Sequence, residues 1–123
     1  MSYLIRKTDT FLRNWKKNPD RYPLIIKGAR QVGKTETIRK FAKENYKNLV
    51  EINFITEPAY KTIIDEGFSA DNILKLISRI DPSKHFDAGE TLLFFDEIQD
   101  FPEIATSLKF FKENGKYDVI CSG

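Results

Sequence analysis

Short apolar runs alternate along this chain with longer segments whose apolar positions recur every three or four residues. The runs Pro23-Leu24-Ile25-Ile26-Lys27, bounded by turn signals, and Thr91 to Phe95 are continuous enough to predict buried strands. Leu49 to Phe54 alternates apolar and polar, and Tyr117 to Cys121 predicts a last strand. Between them lie helical spacings. Phe11, Leu12 and Trp15 predict a helix over Thr8 to Lys17, with Thr8 or Asp9 as its cap and Asn18-Pro19-Asp20 as its stop. Phe11 and Trp15 are expected to pack that helix onto the sheet. Thr35, Ile38, Phe41 and Ala42 predict a second helix from Lys34 to near Tyr46. Glu57 to Ile64 predicts a short helical turn. Ser69 to Ile80 predicts a clearer helix, N-capped by Ser69 and apolar at Ile73, Leu74, Ile77 and Ile80. Pro102 to Asn114 predicts one more, apolar at Ile104, Leu108 and Phe111 and ended by Gly115. Strands alternating with helices argue an α/β fold: a parallel sheet covered on both faces.

Composition narrows this little. The chain has 123 residues, 41% hydrophobic and 31% charged, which is one soluble-type domain rather than a disordered or fibrous chain. The single cysteine, Cys121, excludes an internal disulfide, and no Cys/His cluster offers a zinc site. No apolar stretch has the length of a signal peptide or a membrane span, so the expectation is a cytoplasmic protein without a membrane partner.

Charge changes the picture more. Residues 1–50 carry 13 Lys and Arg against 4 Asp and Glu, whereas residues 51–123 carry 7 against 14. Such a split suits a polyanion partner, two halves that attract each other, or one half that handles phosphate while the other handles a metal.

Gly28-Ala29-Arg30-Gln31-Val32-Gly33-Lys34-Thr35 fills every fixed position of the phosphate-loop pattern G-x-x-x-x-G-K-[ST], the Walker A element. Those positions arise by chance in roughly 0.4% of chains this long at average residue usage, and here a predicted strand precedes and a helix follows. The chemistry needs that arrangement. Glycines let successive N–H groups curl inward onto phosphate oxygens, and the following helix offers its positive dipole end. Lys34 supplies a full charge to the β and γ phosphates, and Thr35 a hydroxyl to Mg²⁺. Thr91-Leu92-Leu93-Phe94-Phe95-Asp96-Glu97 has the form of a Walker B element: an apolar strand that delivers Asp96 to its tip as a second Mg²⁺ holder, with Glu97 next to direct or deprotonate the attacking water. Lys34 and Glu97 are the candidate catalytic residues, and ATP with Mg²⁺ the candidate ligands.

The run Asn14-Trp15-Lys16, then Arg21 through the phosphate loop to Thr35, together with Glu51-Ile52-Asn53-Phe54, Phe94-Phe95-Asp96-Glu97-Ile98-Gln99 and Leu108-Lys109-Phe110-Phe111, resembles the front of bacterial and archaeal AAA-type ATPases that carry a C-terminal DUF4143 domain. The resemblance covers nearly the whole chain. It implies a three-layer P-loop NTPase core of the ASCE/AAA-like kind, sheet order 5-1-4-3-2, and ATP hydrolysis. It also implies a polar sensor residue at the tip of the strand ending Cys121-Ser122-Gly123. Relatives are expected to carry Gly-Ser there, which puts the sensor just beyond Gly123, with Ser122 as a substitute. Residues 1–22 then form a helical lead-in and 23–123 a nucleotide-binding core that stops before a fifth strand. The 123 residues alone are expected to be a weak enzyme, with the phosphate-loop strand at a sheet edge.

Other functions share the loop. A nucleotide-gated switch or scaffold with little turnover, a small-molecule phosphotransferase and a nucleic-acid-stimulated ATPase are the alternatives. Lys16, Lys17, Arg21, Arg39, Lys40, Lys43 and Lys47 form a candidate nucleic-acid surface, but few aromatics interleave with them, and a solvated charged face is the favoured reading. Arg30 is read as supporting the loop, and Gln99 either as a γ-phosphate sensor or as a plain loop cap. Self-association belongs to the full-length protein.

Overall fold

The computed structural model describes residues 3–27 and 33–123. Four strands form one parallel sheet: β1 (Leu24–Ile26), β2 (Asn48–Asn53), β3 (Thr91–Asp96) and β4 (Asp118–Ser122), in the order β1-β4-β3-β2. Each strand is reached from the preceding one through a helical crossover, which parallel pairing requires. The four strands stand in the relative order that the family resemblance implies, and β1 is at one edge.

Strand alternation sorts the sheet's side chains onto two cores. Val50, Ile52, Leu93, Phe95, Val119 and Cys121 face one side, where α3 (Ala70–Ile80) contributes Ile73, Leu74 and Ile77 and α4 (Leu108–Asn114) contributes Phe111. Leu92, Phe94 and Ile120 face the other, against Leu12 of α1 (Tyr3–Lys17) and Ile38, Phe41 and Ala42 of α2 (Lys34–Asn45). All six residues of β3 are buried, because both its neighbours and both helical layers cover it. Its Leu and Phe side chains each contribute roughly 1.5–3 kcal/mol by leaving water. β3 is therefore the most constrained place in the fold to hang an acidic residue, and Asp96 ends it.

Local chemistry sets the element ends. Ser69 caps α3, its Oγ accepting from the Asn72 N–H at 3.2 Å. Gly115 closes α4 in the left-handed region at φ 70°. Several expectations need correction. The first helix begins at Tyr3 rather than Thr8. Asp9 sits inside it, paired with Arg13 one turn on at 3.3 Å, instead of capping it. Within that helix Leu12 is fully buried, while Phe11 is 53% exposed. Trp15 packs on Phe41 of α2 at a ring separation of 6.3 Å, so α1 rests chiefly on α2. The segment 102–114 is two elements, a 3-10 helix over Pro102–Ser107 and then α4. The Ser107 hydroxyl donates to the Ile104 carbonyl at 2.6 Å and so competes with the α-helical ladder there. Glu57 to Ile64 likewise resolves into a 3-10 turn over Pro58–Thr62.

The charge split is used for internal cohesion. Arg21 makes a two-pronged pair with Asp118, both N···O distances 2.9 Å, and Lys16 reaches the same carboxylate at 3.5 Å. Arg39 grips Glu51 on β2, and Lys47 meets Asp87. Each of these joins the basic first half to the acidic second half. Around Asp118, burial opposes ionisation, but hydrogen bonds from Arg21 and Tyr46 outweigh it and hold the carboxyl below its usual range. The Tyr46 phenol is driven up, first by burial and then by its bond to Asp118.

Candidate functional site

The C-terminal ends of parallel strands gather polar groups that the strands themselves cannot bury. Here the tips of β3 and β4 and the start of α2 converge. The backbone at Gly33 is left-handed, φ 94°, a turn that glycine makes without a Cβ clash, and α2 begins at the next residue, Lys34. Thr37 locks the first turn, its hydroxyl and its N–H both donating to the Gly33 carbonyl, at 2.7 and 2.8 Å. Lys34 and Thr35, both half-buried, thus sit in the first turn of a helix whose positive end opens on the strand tips. The preceding Gly28, Ala29, Arg30, Gln31 and Val32 lie outside the described residues.

Thr35 Oγ1 comes within 3.4 Å of Asp96 Oδ2, although 61 residues separate them. The other carboxylate oxygen is held from within the fold. Asp96 Oδ1 accepts from the Ser122 hydroxyl at 2.6 Å and from the Glu97 N–H at 2.9 Å. The carboxylate is thereby fixed in rotation, with one oxygen committed to internal donors and the other turned to Thr35. Asp96 is itself 6% exposed, so its charge stays in a site with little water.

Two adjacent hard oxygen donors at a helix start fit a cation that keeps most of its shell from water and phosphate, as Mg²⁺ does, better than one needing an all-protein cage. Among the described residues no group of three or more His, Cys, Asp or Glu gathers as such a cage.

Glu97 follows at φ 58°, the only non-glycine residue in the left-handed region among those described. It is the last residue before the turn Ile98–Asp100, and Gln99 Nε2 donates to its Oε2 at 3.0 Å. On the neighbouring strand, Asn53 stands in register with Asp96, but its Oδ1 is committed to the Ile55 and Thr56 N–H groups at 2.9 and 3.0 Å. Thr35, Asp96 and Glu97, singled out in sequence as separate motifs, share one edge of the sheet. The family resemblance makes Ser122 a substitute sensor at the strand tip, but nothing in the sequence points to its tie to Asp96.

The candidate nucleic-acid surface looks different in three dimensions. Lys16, Arg21, Arg39, Lys40 and Lys47 are each engaged by carboxylates of the chain itself. Cys121 is buried in the sheet, and burial pushes its thiol up to about 12, the state of an inert core residue. No helix among the described residues is long and apolar enough to cross a membrane.

Comparison with known proteins agrees with this architecture. The profile of the AAA domain family matches residues 20–123. Among solved structures, that of C. elegans PCH-2 superposes over the whole chain with a TM-score of 0.60 at 13% identity, a likeness of fold alone. The chain corresponds to 37% of that protein's length. No curated protein matches the sequence. A profile match over most of the chain, on a parallel sheet of this strand order, means that the chain belongs to the AAA domain family, in which ATP binding and hydrolysis are general properties.

Proposed function

We propose that this chain binds ATP with Mg²⁺ and, in the full-length protein, hydrolyses the β–γ phosphoanhydride to ADP and phosphate. The observation that carries this reading is the approach of Thr35 to Asp96 at 3.4 Å across the mouth of the sheet, with Asp96 braced from behind by Ser122.

Each residue has a part. Lys34 and the amides of the loop Gly28 to Gly33 hold the phosphates, the lysine adding charge where the chain of the nucleotide is most negative. Thr35 and Asp96 Oδ2 would hold Mg²⁺, which would offset phosphate charge there. Glu97 orients a water for in-line attack at the γ phosphorus and accepts its proton as the new P–O bond forms. The bond from the γ phosphorus to the bridging oxygen breaks, and ADP leaves with that electron pair. Burial of Asp96 against β4 keeps its position fixed through turnover, so that little reorganisation is needed at the reacting centre.

Glu97→Gln tests the assignment. It keeps the side chain's size and removes the proton acceptor. In the full-length protein, ATP affinity by calorimetry is expected to stay within about threefold of the parent and phosphate release to fall at least about 100-fold. Persistent turnover in this variant removes Glu97 from the reaction.

A further inference from the structure

The carboxylate of Glu97 is attached to a left-handed backbone turn, where no regular element fixes its direction. Gln99 contacts it from two residues on. Only the NH₂ end of an amide can donate to a carboxylate, so the 3.0 Å contact from Gln99 Nε2 to Glu97 Oε2 also fixes which way the amide faces. Its other end, Oε1, lies against the tip of β4. A Cβ placed on Gly123 would stand 2.3 Å from Gln99 Oε1 and 2.9 Å from the Ile98 N, closer than real contacts allow. The amide therefore sits between the Glu97 carboxylate and the Gly123 backbone.

The turn carrying Gln99 is firmly seated. Ile98 and Phe101 are buried in the core, Phe101 with its ring 4.9 Å from Phe54, and Asp100 pairs with Lys61 at 2.9 Å. A rigid turn that offers one donor to one carboxylate is built to hold a direction.

We propose that Gln99 is a positioning residue for Glu97, and that Gly123 is small so that the Gln99 amide can be clamped against the β4 tip. This rests on the reading of Glu97 as the group that directs water. Gln99 acts through Glu97 alone: it aligns the carboxylate with the water and leaves nucleotide binding to the loop, Thr35 and Asp96. The contact links Gly123, just past β4, to the alignment of the water, so a change confined to Gly123 slows turnover without loosening the nucleotide.

The test uses the full-length protein with Gln99→Ala, Gln99→Glu and Gly123→Ala, alongside Glu97→Gln. Gln99→Glu keeps the shape and loses the donor. Both Gln99 variants are expected to lower kcat about 10- to 100-fold, the usual cost of a misaligned reacting group. KM, the affinity for a non-hydrolysable ATP analogue and Tm should stay close to the parent's. Gly123→Ala should lower kcat with the same lack of effect on affinity. If Glu97→Gln is inactive while the Gln99 variants turn over within twofold of the parent, the positioning role is wrong. Loss of affinity and Tm together with kcat overturns it as well, in favour of a structural role. An unaffected Gly123→Ala removes the clamp. A fully active Glu97→Gln instead sinks the reading of Glu97 beneath it.

Discussion

Ser122 and Asp96, on adjacent strands and 26 residues apart, share a 2.6 Å hydrogen bond buried at the end of the sheet. The bond makes the Asp96 carboxylate part of the β3–β4 pairing rather than a free side chain at a strand end. Ser122→Ala leaves Asp96 Oδ1 with only the Glu97 N–H as donor. Bonds to charged groups are worth about 1.5–3 kcal/mol, so the expected result is a loss of stability near the lower end of that range in urea unfolding. The Mg²⁺ concentration for half-maximal ATPase activity should rise several-fold. An unchanged Mg²⁺ titration would show that Ser122 does not set the carboxylate.

Lys34 begins α2 beside Thr35 and brings a full positive charge to the helix N-terminus at that end of the sheet. Lys34→Ala should weaken ATP binding at least about tenfold by calorimetry, since a charge-assisted contact is lost. Unfolding should barely change, because the residue is only half-buried. Equal affinity in the variant and parent would remove the phosphate-loop assignment.

Asp118 predicts an acid sensitivity. Its folded-state pKa is depressed, with burial opposing and the Arg21 and Tyr46 hydrogen bonds prevailing. A group of this sign contributes stability that is complete above its unfolded pKa of about 3.9 and fades as pH falls through the lower folded value. Asp118→Ala should therefore destabilise the protein at pH 7 by roughly 2 kcal/mol, less than for a fully buried pair because Arg21 keeps some contact with water. The difference between variant and parent should shrink below pH 4. Urea unfolding at pH 7 and pH 3 reads both effects, and an identical gap at the two pH values would contradict the sign.

Much of this was legible in the chain itself. The apolar run of β3 and the alternation of β2 located the sheet, because burial on two faces leaves a continuous apolar signature; the run of β1 located its strand but not its burial, since at the sheet edge Ile25 is 39% exposed. Ser69 and Gly115 marked helix ends because each satisfies a backbone group that only such residues satisfy well. What escaped was decided by tertiary contact. Phe11 and Leu12 are neighbours of equal apolarity, and only the docking of α1 on α2 selects Leu12 for the interior. Thr8 and Asp9 read as caps, yet they are helical because the helix extends back to Tyr3. The role of the charge asymmetry was likewise open. Arg21 and Asp118 are 97 positions apart, and no local pattern relates them. At the site, Lys34, Thr35, Asp96 and Glu97 announced themselves by motif. Ser122 and Gln99 are legible only as candidate sensors or a loop cap, since no pattern tells which carboxylate each one touches.

Among the described residues, β1 has a single strand neighbour, β4, with Leu24 aligned on Ile120 and Ile26 on Ser122. That partner is made almost a hundred residues later. Chain growth at about 5–20 residues per second leaves a gap of several seconds or more in which the strand that leads into the phosphate loop has nothing to pair with. The ribosome must therefore finish β4 before β1 can take its seat. A nascent chain cut short of residue 118 would carry the whole phosphate motif and still lack the strand that pairs with β1.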